Sequence, residues 1–261
     1  MMEFLREFFG FGEGYKRTPE GYMSSAHLIF VTTLMVLMIG LAVFLGLKNK
    51  SKDEKTKNLV LIWCAFLIDG FEIFKIIIVC ARSESFDPIL RMLPLFLCSI
   101  QLITIPLAAF SKGRVKEASL DFVFIFGILG AVLGTYGAGQ NYNAYPVLSF
   151  DNVVSGVTHS ISGFASLYIG ISRMTSMRPK NMWITFTVLV SFCVVAYIAD
   201  VLIPYNYMFL IRGDGTPYDM LYNLVGGNAI LYPLGVVVLF ILYISAFYGI
   251  YFLVRKAKKN R

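Results

Sequence analysis

Charged residues are scarce in this sequence. Only 15% of the 261 residues are Asp, Glu, Lys or Arg, whereas 57% are hydrophobic and the mean hydropathy is +0.69. A soluble fold needs more polar surface than this composition provides, so a soluble protein is excluded. The chain is instead predicted to live in a lipid bilayer.

The sequence also lacks the residues that mark several familiar sites. It has two histidines and four cysteines, none of them in a CxxC pair, so no zinc site, disulfide framework, metal or cofactor is predicted. The last apolar segment contains no lysine, which excludes a retinal protein with a Schiff base there. No internal repeat of the kind found in inverted-repeat transporters is evident.

Apolar stretches of about 20 residues, the length at which an α-helix crosses the hydrocarbon core, set the predicted fold. It is an all-α, polytopic bundle of seven transmembrane helices over residues 25–254. Residues 1–24 form an extracytoplasmic segment resembling a short interfacial helix, and residues 255–261 form a basic tail. The predicted crossings are 25–47, 58–80, 88–110, 120–138, 153–173, 181–204 and 229–254.

Lys and Arg lie mostly on one side of these crossings. Sixteen fall in residues 48–57, 112–116, 173–180 and 255–261, and six fall in segments on the opposite side. The positive-inside rule places the N-terminus outside and the C-terminus inside a multi-pass protein of the cell membrane. The net charge of +7 is therefore mostly a topological signal. It predicts membrane phospholipids rather than nucleic acid as partners, and leaves the oligomeric state open.

Two predicted crossings carry residues with nucleophilic or basic chemistry. On a helix over 88–110, Arg91, Cys98 and Gln101 would share one face, with Cys98 roughly 15 Å deep. In the fifth crossing, Ser155, His159, Ser162 and Ser166 form a polar stripe at helical spacing, with His159 on the order of 10 Å deep. Similar depths allow the imidazole to take the thiol proton. Otherwise Cys98 is an inert buried thiol and His159 an interhelical hydrogen-bonding residue.

Charged residues in other crossings allow two readings. Asp69, Glu72 and Lys75, at i, i+3 and i+6, form either an internal ion-paired cluster or a proton- or cation-coupling group of a transporter. Asp200, near the outer end of the sixth crossing, is a candidate to orient His159 as the third member of a triad.

Short motifs in several parts of the chain together resemble a known family. The motifs are LPLFLC at 93–98, a histidine in a serine-rich helix at 159, and YNYMFL at 205–210. They resemble the YwaF-like family of bacterial membrane proteins, which is related to transmembrane protein 164 of animals. The resemblance implies a cysteine-dependent acyltransferase that remodels ether phospholipids, with Cys98 as nucleophile and His159 as general base. One difference is Phe96, where the family pattern often has a histidine.

The leading hypothesis is therefore a membrane-embedded lipid acyltransferase or lipid hydrolase. It uses a Cys98–His159 pair in a cavity open to the outer leaflet, with Arg91 as a phosphate ligand or a snorkelling anchor. Two alternatives stay open: a transporter or solute-binding membrane component that uses the buried Asp, Glu, Arg and His residues, and a structural or regulatory membrane partner. The predicted substrate-binding residues are Arg91, Gln101, Ser155, Asp200, Asn206 and Tyr207.

Overall fold

The computed structural model describes residues 2–12, 14–175 and 177–259, and every regular element within these ranges is helical. This confirms the all-α prediction. Short 3-10 helices span Asp87–Arg91 and Tyr207–Phe209. The α-helices are α1 Met2–Phe9, α2 Ser25–Asn49, α3 Glu54–Ser83, α4 Gln101–Phe110, α5 Gly113–Thr135, α6 Gly139–Ala144, α7 Phe150–Ile171, α8 Pro179–Leu202, α9 Tyr218–Leu224 and α10 Leu231–Lys259.

Four helical segments in the described ranges are long and apolar enough to cross a membrane. They are Ser25–Asn49, Gly113–Ala144, Pro179–Leu202 and Leu231–Ala257. The helices α3 and α7 are also long, at 30 and 22 residues, but α3 carries several charges and α7 carries the polar stripe. The chain is thus a helical membrane protein, while seven crossings and the orientation of the termini stay predictions.

The third predicted crossing, 88–110, is not one helix. It divides into the 3-10 helix Asp87–Arg91, a stretch of bends and turns, and α4. Pro94 has no amide hydrogen to donate, and the Ser99 hydroxyl lies 3.2 Å from the Phe96 nitrogen and 3.3 Å from its carbonyl oxygen. These local hydrogen bonds replace helical ones. The prediction that Arg91, Cys98 and Gln101 share one helix face is therefore wrong, and helical rise gives no depth for Cys98.

The chain folds as two compact units. The first unit is Met1–Leu93 with Gln101–Thr175, and it contains α1 to α7. The second unit is Pro94–Ile100 with Ser176–Arg261, and it contains α8 to α10. The short segment around Cys98 therefore belongs to a different unit from the helices that flank it in sequence.

Small residues bring α5 and α7 together in the first unit. A Cβ added to Gly127 would lie 2.5 Å from the Ser162 carbonyl oxygen, so α7 approaches the α5 backbone directly. At the same level, the Ser166 hydroxyl donates to the Phe124 carbonyl at 2.7 Å. The small residues of α5 thus let α7 pack closely against it. The remaining long helices surround this pair: α2 packs on α7, α4 on α5, and α3 on both α4 and α7.

The second unit is organised on one face of α10. Every fourth residue of this face is buried, and α8 and α9 both contact the helix. The start of α10 is capped by Asn228, whose side-chain oxygen accepts from the Ile230 and Leu231 amides at 3.0 Å. The buried residues are Tyr232, Val236, Phe240, Ile244 and Tyr248.

We predict that Gly127→Ala destabilises the first unit whereas Gly40→Ala does not. The added methyl at 127 collides with the α7 backbone, at a cost of about 1–3 kcal/mol. The same change at Gly40, in α2, meets nothing within 4 Å and removes a flexible residue from a helix. The free energy of unfolding in detergent–SDS mixtures, followed by circular dichroism, compares the two. Equal stabilities would contradict the close α5–α7 contact.

Candidate functional site

The His159 side chain lies on α7 in the first unit, against a glycine of α5. A Cβ added to Gly134 would overlap the imidazole ring, so only glycine leaves room for it. The His159 Nδ1 lies 2.7 Å from the Ser155 carbonyl oxygen and 3.4 Å from the Ser155 hydroxyl. A carbonyl oxygen can only accept, so Nδ1 carries the proton and Nε2 carries the lone pair. This is the tautomer that a general base requires.

The other histidine, His27, has a hydrogen-bond partner at each ring nitrogen. Its Nδ1 accepts from the Met23 amide at 3.1 Å, and its Nε2 lies 3.2 Å from the Thr135 carbonyl oxygen. The ring is fully buried, with its centroid 4.0 Å from that of Tyr142. His27 thus links α2 to the end of α5, which is a structural role.

Cys98 lies in a turn of the second unit, with intermediate exposure. Phe96 anchors this turn. Its ring contacts those of Tyr205, Tyr207 and Phe209 at centroid distances of 5.9, 5.2 and 6.1 Å. The LPLFLC and YNYMFL segments therefore pack on each other. No pattern in the sequence indicates this contact, because the two segments are separated by five helices.

In the second unit, the residues predicted to bind substrate form hydrogen bonds that stabilise the loop after α8. An Asp200 oxygen accepts from the Tyr207 amide at 2.6 Å, and the other carboxylate oxygen is buried with no partner among the described residues. The Asn206 amide donates to the Arg212 carbonyl at 2.7 Å and to Asp214 at 2.8 Å. Its oxygen accepts from the Ile211 amide. Asn206 thus links residues 206–214 into a compact loop. Substrate contact of Asp200, Asn206 and Tyr207 remains a prediction.

In the first unit, Arg91 is exposed at the end of its 3-10 helix and Ser155 is the hydrogen-bond partner of His159. Gln101 begins α4 and is fully buried. Its side-chain oxygen accepts from the Thr104 hydroxyl at 3.0 Å, while its amide nitrogen has no partner among the described residues. A buried donor without an acceptor is costly, so it marks Gln101 as a candidate for ligand contact.

Of the predicted charge cluster Asp69, Glu72 and Lys75, only Glu72 and Lys75 form an ion pair. Lys75 Nζ lies 3.9 Å from a Glu72 oxygen, and both side chains are largely buried. Within the described ranges Asp69 has no hydrogen bond or ion pair. Among the same residues, no three His, Cys, Asp or Glu side chains cluster as metal ligands would.

A second ion pair, which no sequence pattern indicated, connects the end of α3 to the start of α7 in the first unit. Arg82 at the end of α3 meets Asp151 in the first turn of α7 through two hydrogen bonds, of 2.7 and 3.2 Å. The Tyr15 hydroxyl donates to the same carboxylate at 2.5 Å. Burial and this hydrogen bond raise the pKa of Tyr15, so the phenol stays protonated. The Phe9 carbonyl also accepts from Arg82, which brings α1 to the cluster.

Comparison with known proteins identifies the family of this chain. A sequence model of the TMEM164 family matches residues 22–251. The chain belongs to the TMEM164 family. No curated protein and no solved structure matches it. The TMEM164-family match includes Cys98, His159 and every other predicted site residue. It confirms the transmembrane protein 164 part of the resemblance, whereas the YwaF-like part stays a prediction.

We predict that Asp151→Asn lowers the stability of this TMEM164-family protein on the order of 3 kcal/mol. The change leaves the Arg82 charge largely buried and without its carboxylate. The double variant Arg82→Gln with Asp151→Asn should lose less than the two single changes together. Unfolding free energies in detergent–SDS mixtures measure these values.

The matched control is Arg212→Gln, which removes a pair whose arginine is 55% exposed. It should cost below about 1 kcal/mol. An Asp151→Asn protein as stable as this control would show that the cluster does not hold the unit together.

Proposed function

We propose that this protein is a membrane-embedded lipid acyltransferase or lipid hydrolase in which Cys98 is the nucleophile and His159 the general base. The observation that carries the proposal is the hydrogen bond from His159 Nδ1 to the Ser155 carbonyl. It fixes the tautomer whose Nε2 can take a thiol proton.

The setting of Cys98 supports a nucleophilic role. It lies in an irregular turn three residues before α4, whereas Cys64 and Cys193 are buried in helices. A position outside regular helix lets the sulfur meet a substrate carbonyl, and proximity to a helix N-terminus favours the thiolate. The Phe96 ring contacts fix the turn, as a nucleophile that must be positioned requires.

The proposed reaction has two steps. His159 Nε2 takes the Cys98 proton, and the thiolate attacks the ester carbonyl of a phospholipid. A carbon–sulfur bond forms, the carbon–oxygen bond breaks, and the imidazolium returns the proton to the lysolipid oxygen. His159 then deprotonates a lipid hydroxyl or a water. That oxygen attacks the thioester, the acyl chain is transferred, and the released thiolate regains a proton.

Gln101 is the proposed donor to the carbonyl oxygen as it becomes negative. Its amide N–H groups are buried and have no acceptor within the described residues. A donor that is already desolvated and unpaired gains most when charge develops on the substrate, which is how an oxyanion hole lowers a barrier. Arg91 is the proposed ligand for the headgroup phosphate, because an arginine fork fits phosphate oxygens.

We predict that the purified protein, incubated with a phospholipid, forms a hydroxylamine-sensitive acyl adduct on Cys98. Cys98→Ser should abolish the thioester, and His159→Gln should slow its formation by about 10²–10⁴-fold. Intact-protein and lipid mass spectrometry measure the adduct and the transferred chain.

Cys80→Ser is the matched control, because Cys80 has the same intermediate exposure and lies in α3. It should behave as the wild type. A thioester that persists in a folded Cys98→Ser protein would refute the nucleophile. To test the pairing, mild oxidation should join Cys98 to the new thiol of His159→Cys but not to that of Ser166→Cys, about two turns along α7.

The second candidate, a transporter, is favoured by Asp69. This carboxylate lies within α3, where it has no partner in the described part of the chain, while Glu72 and Lys75 form a pair. Ionisable groups within membrane helices commonly mark ion or proton pathways.

If the transporter candidate is correct, Asp69→Asn should abolish solute uptake by proteoliposomes, and Glu72→Gln should only weaken it because that residue already has a partner. Cys98→Ser should leave uptake unchanged. Acyl-adduct formation that is intact in Asp69→Asn, with no uptake by the wild type, would reject transport.

A further inference from the structure

The second unit contains a buried tyrosine hydroxyl without a hydrogen-bond partner. Tyr232, in the first turn of α10, is 1% exposed, and its hydroxyl meets no donor or acceptor among the described residues. Buried tyrosine hydroxyls usually find a partner, and an unpaired one costs about 1–3 kcal/mol. The position therefore indicates a group that binds there.

The short helix α9, which packs against Tyr232, carries a carboxylate that has no ion pair among the described residues. Asp219 and Tyr222 are three residues apart on α9, so they share a face, and the Tyr222 ring packs edge-on against Tyr232 at 5.0 Å. The carboxylates of Asp219 and Asp214 both lie near enough to Tyr232 for their charges to be felt there, and Asp214 is paired with Arg212. In residues 177–259 no salt bridge or hydrogen bond engages the Asp219 carboxylate. Its oxygen packs on Gly213, where a Cβ would overlap it.

Aromatic residues lie next to Asp219 on α9. Tyr218, one residue before Asp219, has its ring 5.7 Å from Phe209 and 6.3 Å from Phe240. Burial raises the pKa of Tyr218 to about 12, so its ring stays neutral. Tyr218 and Tyr222 are four residues apart on α9 and therefore lie on the same side of the helix. Tyr218 and Tyr222 thus lie on the helix that carries the acid, and Tyr232 of α10 packs against Tyr222.

The chemistry of these groups selects a cation. A carboxylate repels phosphate and fatty-acid carboxylates. The described residues hold no cluster of three acidic or histidine ligands for a metal ion. An organic ammonium group, by contrast, pairs with a carboxylate, is attracted to aromatic faces, and can donate to a phenol oxygen.

We infer that Asp219, Tyr232, Tyr218 and Tyr222 form a binding site for an organic ammonium group. The inference rests on the proposed function for its source, because a lipid-processing protein meets ammonium groups as phospholipid headgroups. A free amine has the same chemistry and is the competing source. The site lies wholly within the second unit, so it requires no particular arrangement of Cys98 and His159.

Titration calorimetry of the full-length protein in detergent tests the site with water-soluble probes. These are dihexanoyl phosphatidylethanolamine, dihexanoyl phosphatidylcholine and dihexanoyl phosphatidylglycerol, together with free ethanolamine and choline. The two ammonium-bearing lipids should bind at least about 10-fold more tightly than the glycerol lipid. Asp219→Asn should remove this preference, and Tyr232→Phe should weaken it about threefold or more. Asp87→Asn, a change at an exposed carboxylate of the first unit, should have no effect.

The unliganded Tyr232→Phe protein adds a second readout. It should be as stable as the wild type or more so, because the hydroxyl it loses had no partner among the described residues. Lower stability without ligand would show that the hydroxyl is bonded within the protein and would overturn the site. Equal binding of the glycerol lipid would also overturn it. Free amines that bind as tightly as the lipids would support an ammonium site and refute a lipid source.

These outcomes are separate from those of the acyl-transfer proposal. Binding is measured without turnover and can be repeated in Cys98→Ala protein. Ammonium-selective binding without any acyl adduct would leave the site standing and refute the reaction. An acyl adduct without headgroup preference would support the reaction and refute the ammonium site.

Discussion

The close contact between α5 and α7 determines where the chemistry of the first unit can lie. Gly127 lets the α7 backbone approach, and Gly134 leaves the space that the His159 ring occupies. Helix α7 is fixed at both ends as well. Arg82 binds Asp151 in its first turn, while Tyr168 near its last turn accepts from Asn49 at 3.0 Å. A histidine held in one tautomer is therefore carried by a helix that is fixed at both ends.

Hydropathy and helical periodicity predicted much of this arrangement. The predicted crossings other than 88–110 coincide with long helices to within several residues, and the spacing of the serines around residue 159 is enough to single out His159. Periodicity failed at 88–110 because apolar content says nothing about hydrogen bonding. Pro94 and Ser99 break the helix there, although almost every neighbour is apolar. Contacts between distant parts of the sequence could not be predicted either. Arg82 and Asp151 are 69 positions apart, and no spacing rule predicts that they meet.

The residue at position 96 changes what the candidate site can contain. The family resemblance implies that a histidine often stands there, whereas this chain has a phenylalanine whose ring packs among Tyr205, Tyr207 and Phe209. The position thus serves packing and offers no proton transfer. His27 has both ring nitrogens engaged in the first unit. In the proposed reaction, all proton transfer therefore falls to His159, which must act first as base and then as acid.

The ring contacts of Phe96 also bear on how the protein is made. The segment Pro94–Ile100 leaves the ribosome early, but the residues 205–209 against which it packs follow about a hundred residues later. Helices α4, α5 and α7 can assemble in that interval, because their contacts lie within Gln101–Thr175. The cysteine turn must wait, with its aromatic anchor unpaired, until α8 has been inserted. A chain released before that point would hold His159 in place while Cys98 had no fixed position, so the proposed chemistry would begin only when the second unit was complete.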